Sequence, residues 1–96
     1  LTVLRAADAC FSEEICQGGH AKRLWQYYTN LVDSPDQPDT YAISLRALQV
    51  ARGGATAARL PFDVLERASE RILSEVKGVV RVVYDLTPSN HYGEME

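Results

Sequence analysis

The fold is decided by Arg59-Leu60-Pro61-Phe62-Asp63-Val64-Leu65-Glu66-Arg67-Ala68-Ser69-Glu70-Arg71-Ile72-Leu73-Ser74-Glu75-Val76-Lys77-Gly78-Val79-Val80-Arg81-Val82-Val83-Tyr84-Asp85-Leu86, in which the hydrophobic period changes once. In the first half Leu65, Ala68, Ile72 and Val76 recur at steps of three and four, and Phe62, Ser69 and Leu73 widen that stripe, as in an amphipathic helix. Asp63, Glu66, Arg67, Glu70, Arg71 and Ser74 fill the other side. Pro61 suits the first helical position, where a missing N–H costs nothing and φ is already set. Asp63 precedes Arg67 by one turn, the better order for such a pair, worth about 0.2–0.5 kcal/mol. Lys77 complements the negative end of the helix dipole, and Gly78 can adopt the left-handed conformation that stops it.

Beyond Gly78 the period is two. Strict alternation puts Val80, Val82, Tyr84 and Leu86 on one face of a strand, to be covered by the core, and Val79, Arg81, Val83 and Asp85 on the other. The second face carries more valine than a solvated one needs, so it reads as a contact surface. A matching strand runs over residues 41–50, with Tyr41, Ile43, Leu45 and Ala47 on its apolar face and Ser44 and Arg46 interrupting the other. A helix between two such strands is long enough to make a parallel crossover.

The N-terminal part is expected to form two helices. Leu4, Ala7, Phe11 and Ile15 make one stripe, ended by Gly18-Gly19. Ala21, Leu24, Trp25, Tyr28 and Leu31 or Val32 make a second, on which Trp25 and Tyr28 share a face as packing residues rather than as a stacking box. The expected class is therefore α+β: two N-terminal helices, then a small sheet with a strand–helix–strand unit.

Ninety-six residues make one domain of modest core, burying somewhat over about 60% of the extended-chain surface. The net charge of −3, with both signs interspersed, lacks the basic face that nucleic acid would need. No apolar run approaches a membrane span, and no signal-peptide core is present, so no nucleic-acid or membrane partner is expected and the cytoplasm is the default location. Cys10, Cys16 and His20 match no familiar zinc spacing and read as reduced thiols beside a histidine. Gly53-Gly54 lacks the Lys-Ser or Lys-Thr of a phosphate loop and reads as a connection. His91 has no partner nucleophile, Ser89 no elbow glycines, and Glu13-Glu14 reads as a solvated face.

The pattern Leu60-Pro61, a helix, then Glu75-Val76, Gly78-Val79 and Arg81-Val82-Val83-Tyr84-Asp85 resembles the C-terminal dimerisation domain of the glutamine-hydrolysing GMP synthases. Upstream, Leu4-Arg5-Ala6-Ala7-Asp8-Ala9 with Glu13-Glu14 is similar to the helix leading out of that family's ATP-pyrophosphatase domain. Thr40-Tyr41 followed by Ser44-Leu45-Arg46-Ala47 is similar to its first sheet strand. There are departures. Asp33-Ser34-Pro35-Asp36-Gln37-Pro38-Asp39 stands where the family has a further apolar strand and a glycine-aspartate turn, and the connection before Leu60-Pro61 is shorter and less hydrophobic. The tail keeps Thr87 and the acidic Glu94 and Glu96 but lacks the lysine that helps the family hold a nucleotide phosphate.

The resemblance implies a helical lead-in over residues 1–32 from a preceding catalytic domain, and an α+β dimerisation domain over 40–96. It implies the C-terminal portion of an enzyme that makes GMP from xanthosine monophosphate (XMP), using ATP, Mg and ammonia drawn from glutamine. No glutaminase cysteine motif and no Ser-Gly-Gly pyrophosphate loop occurs here, so no cofactor is expected on this segment and no turnover by it alone. The implied partner is a second copy, met through Arg46, Arg81, Val83 and Asp85, with Thr87, Glu94 and Glu96 lent to the XMP site. A free-standing α+β interaction module without catalytic activity is the alternative.

Overall fold

The computed structural model of the chain describes residues 2–32, 39–51 and 54–88. Its elements are α1 (Thr2–Gln17), a short 3-10 turn (Ala21–Arg23), β1 (Gln26–Val32), β2 (Tyr41–Ala51), β3 (Gly54–Ala57), α2 (Phe62–Glu75) and β4 (Val79–Tyr84). The class is α+β as expected, and the strand–helix–strand unit is present: β2 and β4 pair in parallel with α2 between them in the chain.

Among the described residues, strand β2 organises a four-stranded sheet. Along one edge it pairs antiparallel with β1, from Gln26 opposite Leu48 to Val32 opposite Ala42. Its other edge is shared end to end. Antiparallel β3 takes Leu48–Ala51, while parallel β4 takes Tyr41–Leu45. The two short strands meet where Ala58 N–H donates to Ala47 O and Asp85 N–H donates to Leu45 O. The Tyr84 hydroxyl donates to Ala58 O at 2.7 Å and ties one strand end to the other.

Both helices lie on one face of the sheet. Ile43, Leu45 and Ala47 of β2 are fully covered and form one cluster with Ala7, Phe11 and Ile15 of α1 and Ala68 and Ile72 of α2. The α1 stripe is the expected one. On α2 the buried line is Val64, Ala68 and Ile72, with Leu65 half-buried, whereas Phe62 and Leu73 of the expected stripe are 74% and 45% exposed. Pro61 caps α2 from outside, in extended conformation (ψ 141°), one position earlier than expected. Gly78 ends the turn with φ +93°, and a Cβ there would stand 3.2 Å from Asp39 O, so only glycine fits without strain.

Three expectations are corrected. The second N-terminal helix does not form: only Ala21–Arg23 turn, and Gln26–Val32 is strand β1. In that run the alternation of Tyr27, Thr29 and Leu31 with Tyr28, Asn30 and Val32, rich in aromatic and β-branched residues, fits the pleated edge of β2 better than a helix. Second, β4 does not alternate strictly. Its register shifts against β2, Tyr41 facing Val79 but Ala42 facing Arg81, so Val80 has no opposite residue. This irregularity turns Val79 into the core and leaves Val80 57% exposed, while Val82 and Tyr84 keep the expected inward face. Leu86, expected on that face, lies past the strand end and is exposed. Third, Glu14 is buried rather than solvated, for a reason given below. The 33–38 stretch, read as replacing a family strand, lies outside the described residues, as do Gly53 and the tail from 89 onward.

Candidate functional site

The sheet has a second face, turned away from the helices. Direct pairing puts Tyr28 beside Arg46, Asn30 beside Ser44 and Val32 beside Ala42 on one flank, and Val83 beside Ser44 and Arg81 beside Ala42 on the other. The centre of the face is small and sheltered, with Ala42 and Ser44 buried between these neighbours, while Val32, Arg81 and Val83 stand exposed around them. The structure therefore brings Arg46, Arg81, Val83 and Asp85 onto one surface.

Arg46 is the unusual residue of that surface. Its side chain is only 10% exposed, and Nη1 lies 2.9 Å from Asp85 Oδ2. This buried nitrogen has an ion partner but no hydrogen bond of good geometry among the described residues. A guanidinium taken out of water keeps its charge and needs acceptors, and Nη1 is the donor without a directed one among the described residues. Asp85 in turn accepts a hydrogen bond from Thr87 N–H at 2.9 Å. That bond, then the Thr87 hydroxyl and Arg46, holds its carboxyl below the usual aspartate range. The pair forms within one chain, between β2 and the residue after β4. Arg81 has no ion pair among the described residues and points its charge from the same face.

Thr87, expected at a nucleotide, is exposed and serves as the turn residue that orients Asp85. Glu94 and Glu96 lie outside the described residues. No cluster of three or more His, Cys, Asp or Glu side chains among the described residues is arranged to hold a metal. Cys10 is buried, its thiol pushed up first by that burial and then by the nearby Glu75 carboxylate, to which it donates at 3.6 Å. Cys16 is a free, exposed thiol.

A second polar cluster, missed in the sequence, joins the helices. Glu14 of α1 is buried and accepts from Arg67 Nε at 3.1 Å and from Arg71 Nη1 at 3.4 Å. Arg71 also pairs with Glu13 at 2.9 Å and with Glu75 at 3.0 Å, and Arg67 with Asp63 at 3.2 Å, the acid-first pair foreseen above. These groups sit on the polar flanks of two helices whose apolar stripes alone were used to place them. The signal was present: two arginines one turn apart on α2 and two adjacent acids on α1.

Helices on one face of a mixed sheet, with the opposite face open and carrying a sheltered arginine, define a two-layer α+β domain. Comparison with known sequences agrees with that class. The profile of the GMP synthase C terminal domain matches residues 13–91. The chain is 39% identical over 95 residues to a glutamine-hydrolyzing GMP synthase of Clostridium tetani and 42% identical over 96 residues to that of Bacillus cytotoxicus, each alignment covering 91% of this chain. The chain belongs to the GMP synthase C-terminal domain family. It spans 19% of the length of those two relatives.

Proposed function

We propose that the chain is the C-terminal portion of a glutamine-hydrolysing GMP synthase and that its work is to pair two subunits through the helix-free face of its sheet. The observation carrying this reading is the convergence of Arg46, Arg81, Val83 and Asp85 on that one face in a domain of this family. A partner surface bringing a carboxylate or carbonyl to Arg46 would supply the directed acceptor that Nη1 lacks among the described residues. In this reading residues 1–32 lead in from a preceding catalytic domain and residues 40–96 carry the dimerisation role. The whole enzyme makes GMP from XMP with ATP, Mg and glutamine-derived ammonia in the cytoplasm. The segment binds no cofactor and turns nothing over alone, and Thr87, Glu94 and Glu96 are its contribution to the nucleotide site.

The test begins with the intact mass of the natural polypeptide that contains Arg81-Val82-Val83-Tyr84-Asp85. A mass several times 10.7 kDa, with GMP formation dependent on XMP, ATP and glutamine, is expected. A natural chain near 10.7 kDa that copurifies with no catalytic subunit overturns the reading in favour of a free-standing module.

A further inference from the structure

The sequence stripe on α2 is wider than the face the domain buries. Helix α1 covers one flank of α2 through the Glu14 cluster. The other flank carries Phe62, Glu66, Ser69, Glu70 and Leu73, and among the described residues nothing packs over its two apolar ends: Phe62 and Leu73 are the exposed members of the stripe. Beneath this flank runs β4, which pairs only with β2 among the described residues. Asp85 N–H points to β2, so the alternation of a strand turns the Val83 amide the same way and directs the N–H and C=O of Val82 and Tyr84 outward. Between flank and strand lies a groove of about 370 Å3 lined by Leu65, Glu66, Ser69, Glu70, Val82 and Tyr84.

The charges of the groove are one-sided. Every other acid of α2 is engaged, Asp63 with Arg67 and Glu75 with Arg71, whereas Glu66 and Glu70 pair with nothing among the described residues. Their spacing fits a strand. Four helical residues rise about 6 Å, and two strand residues span about 6.6 Å. Phe62 stands one more turn before Glu66, and Leu73 just under one turn after Glu70.

We propose that this edge receives an extended segment of another protein chain, of pattern apolar–x–basic–x–basic–x–apolar, which adds to β4 as a new strand. Its outward-facing N–H and C=O pair with Val82 and Tyr84. Its two basic side chains meet Glu66 and Glu70, and its apolar ends rest against Phe62 and Leu73. This surface is distinct from the helix-free face proposed for pairing of subunits.

The probe is the capped peptide Leu-Thr-Lys-Thr-Lys-Thr-Leu, titrated into the chain and followed by amide NMR and hydrogen exchange. The expected result is slowed exchange at Val82 and Tyr84, saturable binding, and a loss of about tenfold or more in the Glu66→Lys/Glu70→Lys variant, whose two changes are exposed and spare the fold. A peptide with Glu in place of Lys then binds that variant better than it binds the parent. Arg81→Glu leaves peptide binding unchanged, which separates this surface from the dimer face. Absence of binding at millimolar peptide, equal affinity for parent and charge-reversed variant, or perturbations centred on Ser44 and Arg81 overturn the proposal. Concentration-dependent protection of Val82 and Tyr84 without peptide overturns it too, because the edge would then belong to a second copy of the chain.

Discussion

Val79 and Val80 are adjacent and chemically identical, yet one is in the core and the other faces solvent. The cause is local: Val80 is the residue with no partner on β2, and the chain absorbs it as a kink that reverses the side-chain alternation. Val82 lies after the kink, half-buried against the core cluster. An aspartate at Val82 places an unpaired charge among apolar neighbours and is expected to cost about 3 kcal/mol, enough to unfold much of the protein, whereas Val80→Asp changes stability by less than about 0.5 kcal/mol. Parallel thermal melts of the two variants check this, and equal melting temperatures would show that the faces are assigned wrongly. The inward setting of Val82 and Tyr84 was legible from period two alone. The kink was not, because nothing in Val79-Val80-Arg81 distinguishes a regular strand from one that skips a residue; the partner strand decides.

The two helices are locked by charge as well as by apolar contact. Glu14 is 6% exposed and bridges Arg67 and Arg71, so its replacement takes one carboxylate from each guanidinium and the link between the helices with it, while Asp63, Glu13 and Glu75 remain as partners. Arg67 is half exposed and recovers water readily, which limits the penalty. Glu14→Ala is expected to cost about 1–3 kcal/mol, a fall of several degrees in Tm for a domain this small. The cluster also gives the domain an acid limit. Arg71 holds Glu75 below its ordinary value of 4.5. A carboxyl whose folded value is depressed stabilises above its unfolded value and loses that contribution as pH falls through the folded one. Melting temperature should therefore drop as pH goes below about 4.5, and more shallowly in Arg71→Ala, as read by melts from pH 6 to pH 3. At this scale α1, α2, β2 and β4 were readable in the sequence, each from a long regular pattern. Strand β1 was not: Leu24, Trp25 and Tyr28 mimic a helical stripe over a run too short to separate the two periods, and pairing with Tyr41–Ala51 settles it. Strand β3 is four residues of Gly, Ala and Thr, with no pattern to read.

For the whole molecule, the two faces of the sheet differ: one holds the helices, and the other carries the surface proposed above for a second subunit. Arg81 lies on the second face, exposed and away from the core, so Arg81→Glu should weaken self-association while leaving the melting temperature within a few degrees of the parent. Sedimentation across a concentration series measures this, and an unchanged dimer constant would remove Arg81 from the interface. Alternation made Arg81, Val83 and Asp85 legible as one strand face and Arg46 as part of another, and the pairing of β4 with β2 joins them into one surface. The ion pair between Arg46 and Asp85 was not legible, since it depends on β4 lying directly beside β2, and strand order leaves no trace in a period.

The shared outer edge of β2 also sets an order of assembly during synthesis. The partners of β1 and β3 on β2 are near neighbours in the chain, so both pairings become available soon after β2 has left the ribosome. The N-terminal half of the same edge stays bare until residues 79–85 emerge, more than thirty positions later. Through that interval Tyr41–Leu45 presents unpaired main-chain groups to any extended segment within reach, so a pause in translation before Val79 exposes the nascent chain to mispairing on that stretch of the sheet.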